Sequence, residues 1–137
     1  MRTVPLANRK SYLLLVTFLW STTLAGQQPP PAPVVQPFVD GADWVVVKPF
    51  TYRIGNTNHE ITVPAGFVTD FASIPLIFRS VLSPTGQPGR AAIVHDFLYW
   101  QQWCARPQAD RILLLAMIES RVSATVRQGV YRAVHVR

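Results

Sequence analysis

Cysteine is nearly absent from this 137-residue chain: Cys104 is the only one. An internal disulfide is therefore excluded, as is any metal site built from thiolates, so stability has to come from packing. Cys104 follows Trp103 in an apolar segment and reads as a small buried hydrophobe. A membrane-spanning run is missing too. The apolar stretch from Tyr12 to Trp20 has nine residues, against about 20 for a helix that crosses a bilayer. Charge is sparse, and acids are scarcer than bases, seven against thirteen. With 49% hydrophobic and 15% charged residues the chain can bury a real core, which argues against disorder for its bulk. The length allows one ordinary domain and not two comfortable ones. There is no internal repeat and no nucleic-acid motif, so nucleic acid is not an expected partner.

What is present begins with a basic segment, MRTVPLANRK, then the apolar SYLLLVTFLW, then the small polar STTLAGQ. That order is the layout of a secretory signal peptide, with Thr23 and Ala25 at the small-residue positions before a cut at Ala25 or Gly26. The expectation is an exported protein, periplasmic or secreted; a retained membrane anchor is the alternative. Removing residues 1–26 leaves a formal charge of +3, ten basic against seven acidic residues. Five of those ten, Arg111, Arg121, Arg127, Arg132 and Arg137, fall near the C-terminus. Such an end can touch anionic lipid, peptidoglycan or nucleic acid, but a solvated face is the commoner explanation.

QQPPPAPVVQP, residues 27–37, has five prolines and reads as an extended, semi-rigid tether, so 27–41 is expected to be a linker and 42–137 a single domain. DWVVVKPFTYRI and HEITVPAG are β-branched, aromatic and alternating, and the GNTN between them is turn-forming. Two strands joined as a hairpin are expected, with Pro49 at a bulge or an edge. LIFRSVLS, residues 76–83, reads as one or two helical turns, broken by PTGQPG. Residues 90–103, 107–120 and 124–135 read as helices, with Pro107 in a first turn and Ser123 as an N-cap. Strands followed by helices argue an α+β domain, a small antiparallel sheet against about three helices.

Chemistry concentrates in GRAAIVHDFLYWQQW, where His95, one of three histidines, adjoins Asp96. On a helix His95 and Tyr99 share a face and Asp96 lies on the flank. The surrounding Ile93, Val94, Phe97 and Leu98 make this helix apolar nearly all round and largely buried. A buried carboxylate beside an imidazole is costly unless paired, and such surroundings shift pKa values as functional acids and bases require. The pair therefore either secures the fold or works at a site. Asp70, with Thr69 and Ser73 as polar neighbours, lies in VTDFASIP, a loop able to present side chains to a substrate. Asp70 and Ser73 are also ordinary helix-starting residues. Asp110 is expected in the first turn of the next helix, where the dipole favours a carboxylate. A Ser73-His95-Asp70 triad lacks the glycine-flanked elbow that exposes a nucleophilic serine. A metal site from Asp70, His95 and Asp96 would take ligands from two segments.

The blocks GFVTDFASIP, PTGQPGRAAIVHDFLYW and ADRILLLAM resemble the signature blocks of domain-of-unknown-function family 1353, which occurs in phages and bacterial genomes. The resemblance implies membership and no established activity. HDFLY, followed by Ala109-Asp110, is also similar to the H-D-x-x-Y pattern of secreted phospholipase A2 enzymes. That likeness implies His95 as a general base, Asp96 as a calcium ligand, Tyr99 as hydrogen-bonding support, and Asp110 or Asp70 as the orienting acid. The chain departs from that family in having no disulfide framework and no distant glycine-rich calcium loop. Two functions remain: a His/Asp-dependent hydrolase, with or without a divalent metal such as calcium, acting on a lipid or cell-envelope ester or amide; or a non-catalytic phage or envelope accessory module.

Overall fold

In a computed structural model of the chain the described residues are 29–39, 43–71, 83, 85–86 and 88–136. The leader over 1–26, Ser73, and all but Ser83 of the expected turns over 76–83 lie outside the described residues.

The strands come first. They are β1 (Val35–Pro37), β2 (Trp44–Val46), β3 (Phe50–Arg53), β4 (Glu60–Val63) and β5 (Val68–Thr69). The expected hairpin is β3–β4, paired antiparallel from Phe50↔Val63 to Arg53↔Glu60. Alternation sends Tyr52, Ile61 and Val63 into the core and leaves Thr51, Arg53 and Thr62 outside. The outer face is laced by a Thr51–Thr62 hydroxyl pair at 2.9 Å and an Arg53–Glu60 ion pair at 3.0 Å.

Two features differ from the sequence reading. DWVVVKPFTYRI is not one strand: β2 belongs to a three-stranded sheet of order β1-β2-β5, and β3 to the separate two-stranded one. Pro49 has no N–H for a ladder and biases Lys48 away from helical backbone, so the chain leaves one sheet there and enters the other. The proline-rich segment also reaches into the sheet, because Val35–Pro37 pairs with β2 (Val35↔Val46, Pro37↔Trp44). β1 is an edge strand, where a proline costs no interior hydrogen bond.

Gly66, at φ +86°, turns the chain from β4 into β5, its N–H donating to the Val46 carbonyl at 2.8 Å. That backbone is strained for any residue with a Cβ.

Among the described residues the helices are α1 (Gly89–Gln101), α2 (Arg106–Glu119) and α3 (Ala124–His135). α1 is buried continuously from Gly89 to Leu98, as its apolar circumference demands. It packs on β4 and β5 on one side and on α2 on the other, and α3 packs on α2. α2 opens with Pro107 in its first turn and with the Gln108 side chain accepting from the Ala105 N–H at 3.0 Å. Its buried seam is Ala109, Leu113, Ala116 and Met117, at helical spacing, while Ile118 is exposed. Ser123 is the N-cap residue of α3, though its hydroxyl makes no capping bond. The core joins the inward faces of β2–β4 to Ile93, Val94, Leu113, Met117 and Val130. The protein is an α+β domain.

Candidate functional site

His95 sits on the second turn of α1, and Tyr99 stands one turn further along the same face, their rings 4.4 Å apart. Both face α2, where Asp110 lies in the second turn rather than the first. The dipole reading of Asp110 is therefore corrected: the carboxylate is 1% exposed and serves as an acceptor between helices. Its Oδ1 lies 3.0 Å from His95 Nε2 and accepts from the Tyr99 hydroxyl at 2.8 Å. Its Oδ2 lies 3.3 Å from Nδ1 of His135, the last residue of α3. Arg106, the first residue of α2, donates from Nε to the Tyr99 oxygen at 3.0 Å and from its terminal nitrogen to the Val134 carbonyl at 3.0 Å. Three helices thus meet at one carboxylate.

The electrostatics follow from the donors. Burial pushes the Asp110 pKa up, but the hydrogen bonds from His95, Tyr99 and His135 outweigh it and hold the carboxyl below its ordinary value. Tyr99 is pushed up, first by burial and then by the Asp110 carboxylate, with Arg106 opposing. Asp110 is consequently ionised at neutral pH and can only accept. Singly protonated His95 therefore carries its proton on Nε2 and leaves the Nδ1 lone pair free of Asp110.

Nδ1 lies on the Asp96 side, 3.9 Å from Oδ1. The other Asp96 oxygen accepts from the buried Thr69 hydroxyl at the end of β5. Asp96, Thr69, Asp70, Asp43, Val68 and Trp100 line a cavity of about 180 Å³. Phe71, buried next to Asp70, takes a left-handed backbone (φ 51°), which is rare for a bulky residue.

Of the sequence candidates, His95, Tyr99 and Asp110 are therefore brought together. Asp96, Thr69 and Asp70 form the adjoining group, and Ser73 lies outside the described residues. Of the two acids that could orient His95, the one bonded to it is Asp110. The metal reading fits less well. Among the described residues no group of three His, Cys, Asp or Glu is arranged to hold an ion, and one Asp96 oxygen is taken by Thr69. Among the described residues Asp70, His95 and Asp96 are therefore not arranged as a three-ligand metal site.

Arg106 and His135 were missed by sequence reasoning. For Arg106 a signal existed, since it stands four residues before Asp110 on one helix face. For His135 none did: its contact spans 25 positions between different helices. Cys104 is half-buried rather than sealed, and borders a 320 Å³ cavity with Leu98, Tyr99 and Arg106.

Comparison with known proteins gives one family. A family model described as "Protein of unknown function (DUF1353)" matches residues 44–134, from β2 to the last turn of α3. No curated protein and no solved structure matches the chain. The match covers both sheets from β2 onward, the first two helices and the third up to Val134, one residue short of His135, and the chain belongs to the DUF1353 family.

Proposed function

We propose that the domain is a hydrolase in which His95 is the general base, Asp110 orients it and Tyr99 supports Asp110. The observation that carries this is the bonding at Asp110 Oδ1, which His95 Nε2 meets at 3.0 Å and the Tyr99 hydroxyl at 2.8 Å. An imidazole held at one nitrogen by an ionised carboxylate has a fixed tautomer, and its other nitrogen can take a proton. That nitrogen is turned toward Asp96, part of the wall of the 180 Å³ cavity.

In the reaction, Nδ1 removes a proton from water as the water oxygen bonds to an ester or amide carbonyl carbon. Asp110 stabilises the resulting imidazolium, which returns the proton to the leaving group as its bond to carbon breaks. On this reading Asp70 contacts the substrate, and Thr69, whose hydroxyl is donated to Asp96, holds that wall of the cavity. We place the substrate among lipid or cell-envelope esters and amides, because the leader-like N-terminus points to export.

The test is product release from a panel of phospholipid vesicles and envelope fragments, with His95→Gln beside the natural chain. Turnover of at least one substrate is expected, falling roughly 10²–10⁴-fold in the variant at a temperature where the variant stays folded.

A second reading has its own observation: His95 and Asp110 are each 1% exposed, and their network ties α1, α2 and α3 together. On that reading the network is a clasp in a non-catalytic phage or envelope module. A blank panel together with a sharp loss of melting temperature in His95→Gln would select it.

A further inference from the structure

The two sheets present different outer faces. On β3–β4 the side turned from the core carries Thr51, Arg53, Glu60 and Thr62, the polar surface that a solvated sheet face ordinarily has. On β1-β2-β5 the register fixes which residues share the corresponding side. Val34 stands opposite Val47, its carbonyl accepting from the Val47 N–H at 2.8 Å, and Gln36 stands opposite Val45, which also faces Val68. Phe38 ends the row beside Asp43, whose carbonyl accepts from the Phe38 N–H at 2.7 Å. Alternation puts all of these on one side, and Val35, Trp44, Val46 and Thr69 on the other, toward the core.

This second face is apolar and open. Val34, Phe38, Val47 and Val68 are each between 36% and 46% exposed, and Trp100, at 76%, continues the patch past Val68 at the β5 edge. Gln36 is the polar side chain in its middle, and charge stands only at its ends, Asp43 at one and Lys48, just after Val47, at the other. Single exposed apolar residues need no explanation, but a contiguous face of them marks a docking surface.

Two observations choose the occupant. The middle of the face has no charge to match against a charged partner, while an indole stands at its border, as tryptophans do where a protein meets a bilayer. The end with the indole also borders the 180 Å³ cavity, because Asp43, Val68 and Trp100 belong to both. A second copy on the face would cover those residues and the cavity with them, whereas a bilayer would bring lipid esters to it. We infer that the β1-β2-β5 face docks on an uncharged lipid surface, with Val34, Phe38, Val47 and Val68 meeting the acyl chains and Trp100 the headgroup region. The inference names the surface from which a substrate reaches the cavity and rests on the hydrolase reading for that alone; the docking needs no catalysis.

The test is co-sedimentation of the full chain with phosphatidylcholine vesicles, beside variants of the face and His95→Gln. Saturable binding is expected that persists between about 0.1 and 1 M salt, because apolar contact, unlike attraction between exposed charges, is not screened. Val34→Asp and Val47→Asp should each weaken binding about tenfold or more, since each sets a carboxylate where methyl groups meet the acyl chains. Val47→Thr keeps the branched shape that suits a strand, so it should weaken binding less and leave the circular dichroism of the natural chain unchanged. Thr62→Asp, on the outer face of the other sheet, should bind as the natural chain does. His95→Gln should too, and a natural chain that binds but turns over nothing supports the docking while counting against the hydrolase. The inference is overturned if no binding saturates, if binding collapses with salt, or if both Asp variants bind undiminished, as they would were the N-terminal apolar segment the anchor. A natural chain that forms a dimer, is split by Val47→Asp and leaves the vesicles unbound would give the face to a second copy and overturn it as well.

Discussion

Asp110 decides what the other residues near it can do. Because its folded pKa lies below that of an unfolded aspartate, the unfolded chain binds the extra proton on acidification. The stability Asp110 contributes is thus fully present above about pH 4, the ordinary aspartate value, and is lost as pH falls through its lower folded pKa. Asp110→Asn should lower stability by about 3 kcal/mol at neutral pH, since it leaves buried donors without their charged acceptor. It should also flatten the loss of stability below pH 4; urea denaturation at several pH values reads both effects. Much of this group was legible beforehand. The H-D-x-x-Y spacing places His95 and Tyr99 on one helical face, and the following Ala109-Asp110 supplies a carboxylate. What was not legible was which oxygen meets which nitrogen, or that His135 and Arg106 close the network, because those contacts depend on how helices distant in sequence cross.

The junction of β5 with α1 is where the two halves of the fold are pinned. Thr69 at the end of β5 donates to Asp96 on α1, both buried. Thr69→Val keeps the shape and removes the donor, so it should cost about 1–3 kcal/mol, and Thr69→Ser should restore most of it; thermal melts of the pair check this. Gly66 governs the turn that delivers β5 to this junction. A Cβ there meets nothing within 4 Å, so the cost of Gly66→Ala is conformational alone. It is expected at about 1–2 kcal/mol from the left-handed backbone, with Gly66→Asn milder. The helices were readable from apolar spacing, Pro107 and Ser123, and the β3–β4 hairpin from alternation around GNTN. The strand before Pro49 was not read as a separate element, because a single proline is compatible with a bulge, an edge or a change of sheet. β1 was hidden by its prolines, which argue for a tether unless a partner strand is known.

For the molecule as a whole, strands give way to helices along the chain, and the Thr69–Asp96 contact forms where the helical half meets the end of the sheet. α1 is enclosed on both sides, which explains why its polar residues must be paired with one another or reach a cavity. The hydrolase proposal needs the second of these for His95: its Nδ1 has to be reachable by way of the Asp96 wall. The clasp reading needs no such access. The chain provides its own controls, since the other two histidines, His59 and His135, are exposed. Treatment of the folded protein with diethylpyrocarbonate, read residue by residue by peptide mass spectrometry, therefore shows whether His95 can be reached from solvent, without a known substrate. Modification of His95 in the native protein, slower than that of His59 but well ahead of unfolding, is the predicted result. Modification of His59 and His135 with His95 untouched until the protein unfolds would contradict it.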